Sequence, residues 1–200
     1  MSELAIYDMD RTITRRGTYT PWLLFWAWRQ APWRLLLLPA TLGMGFAYLA
    51  GAITRSRLKE LNQALLMGAS VDRAAVERVA AAFAERVVLR GVLPGAVARI
   101  AADRAEGRHV VLATASFAFY AEAIAARLAI TSVIATRSIW HGDGLLPRID
   151  GENCYGAAKL TMVEAWLLTI QPGHIRFYSD HVSDLPLFER ADEAVATNPS

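Results

Sequence analysis

Apolar positions along this chain follow two spacings in alternation. Compact runs at Leu4–Tyr7, His109–Ala113, Ser132–Ala135, Ile175–Tyr178 and Ala194–Ala196 read as buried strands. Between them the spacing turns helical. Val76, Val79, Ala80, Phe83 and Val87 form an i, i+3, i+4, i+7 stripe that stops at Gly91. Further helices are predicted over Gly95–Glu106, Phe117–Leu128 and Ala157–Leu168, the last two carrying Tyr120 and Ile124, and Met162, Val163 and Trp166. Gly142-Asp143-Gly144 predicts a hairpin turn within a flap spanning Ser138 to Ile149. Strands alternating with helices predict an α/β fold built on a Rossmann-like, doubly wound, mainly parallel sheet.

One interval breaks the alternation. Residues 14–105 are helical in pattern throughout, although a crossover between neighbouring parallel strands needs only about a dozen residues. The excess predicts an all-helical insert over 14–105, with residues 1–13 and 106–200 forming the core. Composition adds an apolar segment at 21–53 inside that insert, in a chain that is 54% hydrophobic. The net charge of +2 and the scattered basic residues give no reason to expect a nucleic-acid partner. A lone cysteine, Cys154, excludes an internal disulfide and fits a reducing cytoplasmic setting.

The residues with chemical potential fall at strand ends, where ligands of doubly wound sheets sit. Asp8-Met9-Asp10-Arg11-Thr12 follows the first strand, and two carboxylates so placed can divide nucleophilic or metal-binding work from proton transfer. Alone, the motif equally describes a solvated turn. Thr114 closes the second strand and Ser116 follows it, both suited to holding a phosphate oxygen. Lys159 begins a helix after Gly156, where its charge would offset phosphate and carboxylates. Tyr178-Ser179-Asp180-His181-Val182-Ser183-Asp184 adds two carboxylates after a later strand, an oxygen-rich set that suits Mg²⁺.

Taken in order, Asp8, Asp10 and Thr12, then Thr114, then Lys159, then Asp180 and Asp184 resemble the four motifs of the haloacid dehalogenase superfamily, in its phosphoserine phosphatase-like branch. The likeness runs from Leu4 to about Asn198. It implies a C1-type helical cap between the first and second core strands and an Mg²⁺-dependent phosphomonoesterase acting through an aspartyl-phosphate. Asp8 would then be the nucleophile and Asp10 the acid and base. Thr114 and Lys159 would hold the phosphoryl oxygens, and Asp8, Asp180, Asp184 and the Asp10 main-chain carbonyl would serve the metal. A phosphotransferase on the same site, or a membrane-associated scaffold on the same fold, are the alternatives.

Two departures bear on substrate. Arg11 replaces a frequent Gly, and Thr14-Arg15-Arg16-Gly17-Thr18 is basic where phosphoserine phosphatases carry a Glu for the substrate ammonium. Phosphoserine is therefore not the expected substrate. Arg15 and Arg16 are either plain surface residues or, with Thr12 and Ser116, contacts to additional acidic groups of the substrate. The chain also ends soon after its last strand, where relatives continue with another helix, so truncation is expected.

The apolar segment admits two readings. Leu35–Ile53 is nineteen residues without formal charge, interrupted by Pro39, Gly43, Gly45 and Gly51. A single span would separate Asp8 from Thr114 across a membrane, and 21–53 is too short for two spans of about 20 residues each. Either it forms a cap packed on residues 73–90, or it lies in the interface at the inner face of the cytoplasmic membrane. In the second case Trp22, Trp26, Trp28 and Trp33 would sit at headgroup level, with Arg29, Arg34, Arg55, Arg57 and Lys59 towards anionic lipid. Arginines beside tryptophans favour the interface, and a lipid or other small-molecule phosphomonoester as substrate.

Overall fold

The structure, a computed structural model, describes residues 3–197. Its centre is a seven-stranded sheet in the order β2-β5-β4-β3-β1-β6-β7. β1 (Glu3–Tyr7) lies between β3 (His109–Phe117) and β6 (His174–Ser179), parallel to both. β4 (Ser132–His141) extends the parallel sheet on one side and β7 (Glu193–Ala196) on the other. The winding therefore changes direction around β1, and the carboxyl ends of β1, β3 and β6 open on a shared crevice.

β1 is apolar on both faces because both are covered. Leu4 and Ile6 pack in one cluster with Val111, Phe177, Val163 and Leu167. Ala5 and Tyr7 belong to another with Leu112, Tyr120 and Tyr178. α6 (Ala118–Arg127) and α7 (Ala157–Leu167) supply part of the two covering layers. α5 (Pro94–Ala105) lies along β3. It hands Asp103 to the Tyr7 hydroxyl, which donates to it beneath the stacked rings of Tyr7 and Tyr178, 4.2 Å apart.

The insert after β1 is helical apart from β2 (Val71–Asp72), which adds a short edge to β5 (Gly144–Asp150). It holds α1 (Tyr19–Gln30), a 3₁₀ turn (Pro32–Leu37), α2 (Leu38–Leu49), α3 (Arg55–Leu66) and α4 (Arg73–Gly91). Thr54 caps α3 by accepting from the Arg57 N–H, and Asp72 caps α4 by accepting from the Ala75 N–H. The β4–β5 hairpin forms at Gly142-Asp143, with Gly142 at φ 57°, as its sequence predicts. β3 runs on to Phe117 instead of ending at Ala113. A register shift interrupts the ladder between Thr114 and Phe117, and pairing resumes at Phe117 with Thr136.

The apolar segment divides in a way neither sequence reading foresaw. Trp22 and Trp26, expected at headgroup level, are buried: Trp22 stacks on Tyr120 and meets Phe83 edge-on. Their i, i+4 spacing puts both on the core side of α1. α2 buries no residue, and Leu42, Phe46 and Leu49 are 67%, 72% and 79% exposed. Trp28, Trp33 and Leu36 are exposed beside it. Among the described residues no helix is long and apolar enough to cross a membrane.

Candidate active site at the strand ends

The Asp8 N–H donates to the Tyr178 carbonyl at 2.9 Å, so Asp8 prolongs the β1–β6 ladder by one step. That step sets Asp8 beside the turn after β6. Lys159 reaches the same point from the third position of α7. The helix starts at Gly156, whose φ of 59° and ψ of −130° belong to glycine alone. Lys159 Nζ donates to Asp8 Oδ1 at 2.8 Å and to Asp184 Oδ2 at 2.7 Å. Ser179 Oγ also donates to Asp184 Oδ2, at 2.7 Å. Asp184 Oδ1 is buried with no hydrogen-bond partner.

Burial of this cluster works on both signs of charge. It pushes the Asp8 carboxyl up to about 7, against the pull of Lys159 and with the push of Asp184 and Asp10. Burial also opposes the Lys159 charge, but Asp8 and Asp184 more than offset it and raise the ammonium pKa.

Asp10 is held differently. Its Oδ1 accepts from the Thr18 N–H and the Thr18 hydroxyl, each at 2.8 Å, and its Oδ2 accepts from Ser116 Oγ at 3.1 Å. Thr114 Oγ1 accepts from the Ser116 N–H at 3.1 Å, which links Thr114 to the same group. Burial raises the Asp10 pKa, with Thr18, Ser116 and Lys59 pulling against it. Directly after Asp10, Arg11 takes φ 63°, a conformation that glycine adopts without strain and a β-carbon does not.

Asp8, Asp10, Thr114, Lys159, Asp180 and Asp184 line one cavity of about 330 Å³. Thr12 and Ser116 are placed behind it. Thr12 Oγ1 donates to Asp180 Oδ1 at 3.4 Å, and Ser116 orients Asp10. Thr12 is thereby positioned to steer a carboxylate, while Ser116, besides orienting Asp10, lines a second cavity next to the first. Arg15 and Arg16 are not brought to this cavity: the loop turns at Gly17, and both line a separate cavity on its far side. Trp140, within the flap predicted over Ser138 to Ile149, also lies elsewhere, under Arg73 at 4.1 Å. His181 lines the cavity, with Nδ1 accepting from the Ser183 N–H at 3.0 Å.

Sequence reasoning missed a second chamber and its lysine. A cavity of about 250 Å³ shares Asp10, Tyr19, Arg55 and Ala115 with the first and extends past Lys59 to Tyr48 of α2. Lys59, expected to face lipid, is buried instead. Its Nζ donates to the Ala115 carbonyl at 2.6 Å and to Asn153 Oδ1 at 2.8 Å, over the Phe117 ring. Burial, with Arg55 nearby, lowers its pKa from 10.5 to about 7, against the opposing pull of Asp10. Arg55 lies over the Tyr155 ring at 3.9 Å on the wall of both chambers. Nothing local in Arg55-Ser56-Arg57-Leu58-Lys59 separates these roles, although three-and-four spacing from buried Gln63 and Leu66 marks the inward face.

Among the described residues no three His, Cys, Asp or Glu side chains form a ready-made metal cage. Mg²⁺ asks for less, binding through one or two carboxylates with waters and substrate phosphate. Asp8, Asp180 and Asp184 on one wall, with Asp184 Oδ1 unpartnered, fit such a sparse site. Both Asp10 carboxylate oxygens are already engaged, which leaves its main-chain carbonyl for a metal.

Comparison with known proteins gives the following. A family model described as haloacid dehalogenase-like hydrolase matches residues 5–189. Protein CicA of Caulobacter vibrioides is 32% identical over 162 residues, covering 78% of this chain and 69% of that protein. A Bordetella pertussis protein of unknown function superposes with a TM-score of 0.87 at 24% identity, covering 100% of this chain and 92% of the other. A phospho-aspartyl intermediate analogue of phosphoserine phosphatase superposes with a TM-score of 0.65 at 17% identity, over 98% and 86% of the two chains. At these identities the structural matches establish the α/β fold with its helical insertion after the first strand.

Proposed function

The chain belongs to the haloacid dehalogenase-like hydrolases, and from that premise we propose that it hydrolyses phosphomonoesters through an aspartyl-phosphate on Asp8. The observation that carries the reading is the single ammonium of Lys159, shared between Asp8 and Asp184 on the wall of an open cavity. Lys159 engages only Oδ1 of Asp8. An Asp8 oxygen attacks phosphorus, the bond to the ester oxygen breaks, and Asp10 gives its proton to the departing alcohol. A water then gives its proton to Asp10 and attacks the phosphoryl group, which frees phosphate and restores the Asp8 carboxylate and the protonated Asp10. The raised Asp10 pKa suits a group that must start protonated. Thr114 and Lys159 hold phosphoryl oxygens. Mg²⁺, held by Asp8, Asp180, the Asp10 carbonyl and, through water, Asp184, would supply positive charge against the phosphate.

The leaving group would occupy the second chamber, and its walls suggest a lipid-borne ester. The chamber reaches Tyr48 of α2, whose apolar face is open. Across α1, the 3₁₀ turn and α2 the chain carries Arg29 and Arg34 and no carboxylate, a balance that favours an anionic bilayer surface against α2.

The test is phosphate release from lysophosphatidate, phosphatidylglycerophosphate in micelles, phosphoserine and sugar phosphates, with and without Mg²⁺. Release that needs Mg²⁺ and disappears in Asp8→Asn is expected, with micellar lipid preferred. Equal release by Asp8→Asn would overturn the mechanism. A preference for the water-soluble esters would overturn the lipid assignment alone.

A further inference from the structure

On the far side of the loop that carries Thr18 lies a cavity of about 360 Å³ whose wall holds four arginines, Arg15, Arg16, Arg86 and Arg90, and no carboxylate. Arg86 and Arg90 stand one turn apart on α4. Arg15 and Arg16 come from the loop after β1. That loop is bound to the end of α4 by the Arg15 N–H on the Gly91 carbonyl at 2.7 Å and the Leu93 N–H on the Ile13 carbonyl at 2.9 Å.

Elsewhere in the molecule Arg57, Arg73, Arg99, Arg108, Arg127, Arg176 and Arg190 each meet a carboxylate. None of the four cavity arginines does so among the described residues. The helix dipole accounts for cations near the end of α4. It does not account for two more arginines brought against them by a different segment. The dipole would also resist an anion there, but the terminal Gly91 carbonyl is already taken up by the Arg15 N–H. Pro21, Phe83 and Val87 give the cavity an apolar side.

We propose that this cavity is a second anion site, taking a ligand with at least two ionised phosphate groups. Guanidinium forks match paired phosphate oxygens, and four of them exceed what one phosphate monoanion needs. The site is separate from the catalytic cavity but shares Gly17 with it. Thr18, on the same wall, supplies two of the hydrogen bonds that hold Asp10. An anion that draws Arg15 and Arg16 inward fixes the peptide that positions Asp10, so occupancy alters turnover at saturating substrate. This coupling rests on the phosphatase reading; the binding does not.

The binding test is calorimetric titration of inorganic pyrophosphate into the metal-free protein. It compares wild type with Arg86→Gln/Arg90→Gln, both on exposed helix positions, and with Arg55→Gln on the catalytic cavity. The double variant should weaken binding at least tenfold, and Arg55→Gln should leave it within twofold. A parallel arm measures co-sedimentation with phosphatidate vesicles. Loss of pyrophosphate binding in the double variant assigns a free phosphate compound, and loss confined to vesicles assigns a lipid headgroup. No effect of the double variant in either arm, or an equal loss in Arg55→Gln, overturns the site. For coupling, with Mg²⁺ in excess, pyrophosphate should change kcat of wild type and not of the double variant, whose kcat without pyrophosphate equals wild type. An identical response of the two proteins overturns the coupling.

Discussion

Lys59→Met should make this protein more stable at neutral pH, although it removes two short hydrogen bonds. A lysine whose pKa falls from 10.5 to about 7 on folding lowers stability at pH 7 by on the order of 4 kcal/mol. Methionine fills similar volume without that cost. Against the gain stand the acceptors left behind, the Ala115 carbonyl and Asn153 Oδ1. Thr136 Oγ1 lies 2.8 and 3.0 Å from them and, with one proton, satisfies only one at a time. The other costs about 1–3 kcal/mol. The net is a stabilisation of about 1–3 kcal/mol at pH 7. The sign follows from proton counting. Between pH 7 and 10.5 the unfolded lysine holds more protons than the folded one, so wild-type stability rises with pH across that window and is lost as pH falls towards 7. Lys59→Met lacks this slope, and its advantage should vanish or reverse near pH 10. Urea unfolding of both proteins at pH 7, 8, 9 and 10 measures the difference, in which groups not coupled to Lys59 cancel. A difference that stays constant with pH would refute the buried, depressed ammonium.

Other substitutions probe the same architecture. Gly156→Ala should cost about 1–3 kcal/mol, because a β-carbon is strained at that φ and ψ, and should cut turnover more than tenfold by displacing Lys159; thermal melts and phosphate release measure both, and wild-type values would contradict the account of α7. Ser116→Ala removes a hydrogen bond that pulls the Asp10 pKa down, so that pKa rises further. The alkaline limb of the kcat/KM profile, where Asp10 loses its proton, should then move to higher pH; a move to lower pH would remove Asp10 from the acid role. Phe46→Ser/Leu49→Ser should lower sedimentation with anionic vesicles severalfold while leaving the melting temperature within about 2 °C, since neither side chain is buried. A large drop in melting temperature would mean that α2 packs on the protein instead.

The parts legible in the sequence are those where local pattern and chemistry coincide. Asp8, Thr114 and Asp180 lie in or next to apolar strands, and the order of those strands in the sheet brings them onto one cavity. Helix boundaries at Gly91 and Gly156 were equally plain, since each marks a backbone change. Lys59 was not legible, because its burial is decided by Ala115 and Asn153, far away in the chain. Arg15 and Arg16, readable as surface residues or as substrate contacts, stayed open for the opposite reason. They adjoin the catalytic motif in sequence, but two residues of loop are enough to turn them to the other side. Trp22 and Trp26 carried a signal in their helical spacing that composition obscured.

The short strand β2 joins the insert to the β4–β5 hairpin, and two further ties run alongside it: Lys59 to the β3 turn, and Glu60 Oε1 accepting from the Ile149 N–H at 2.9 Å. At the other end, the loop 14–18 is fastened to the close of α4. An insert moored at both margins cannot swing away as one rigid lid. Its compliance is left to the stretch that buries least, the 3₁₀ turn and α2. Entry into the second chamber from the Tyr48 side then follows the breathing of that stretch, so the element that meets the surroundings also governs this way in.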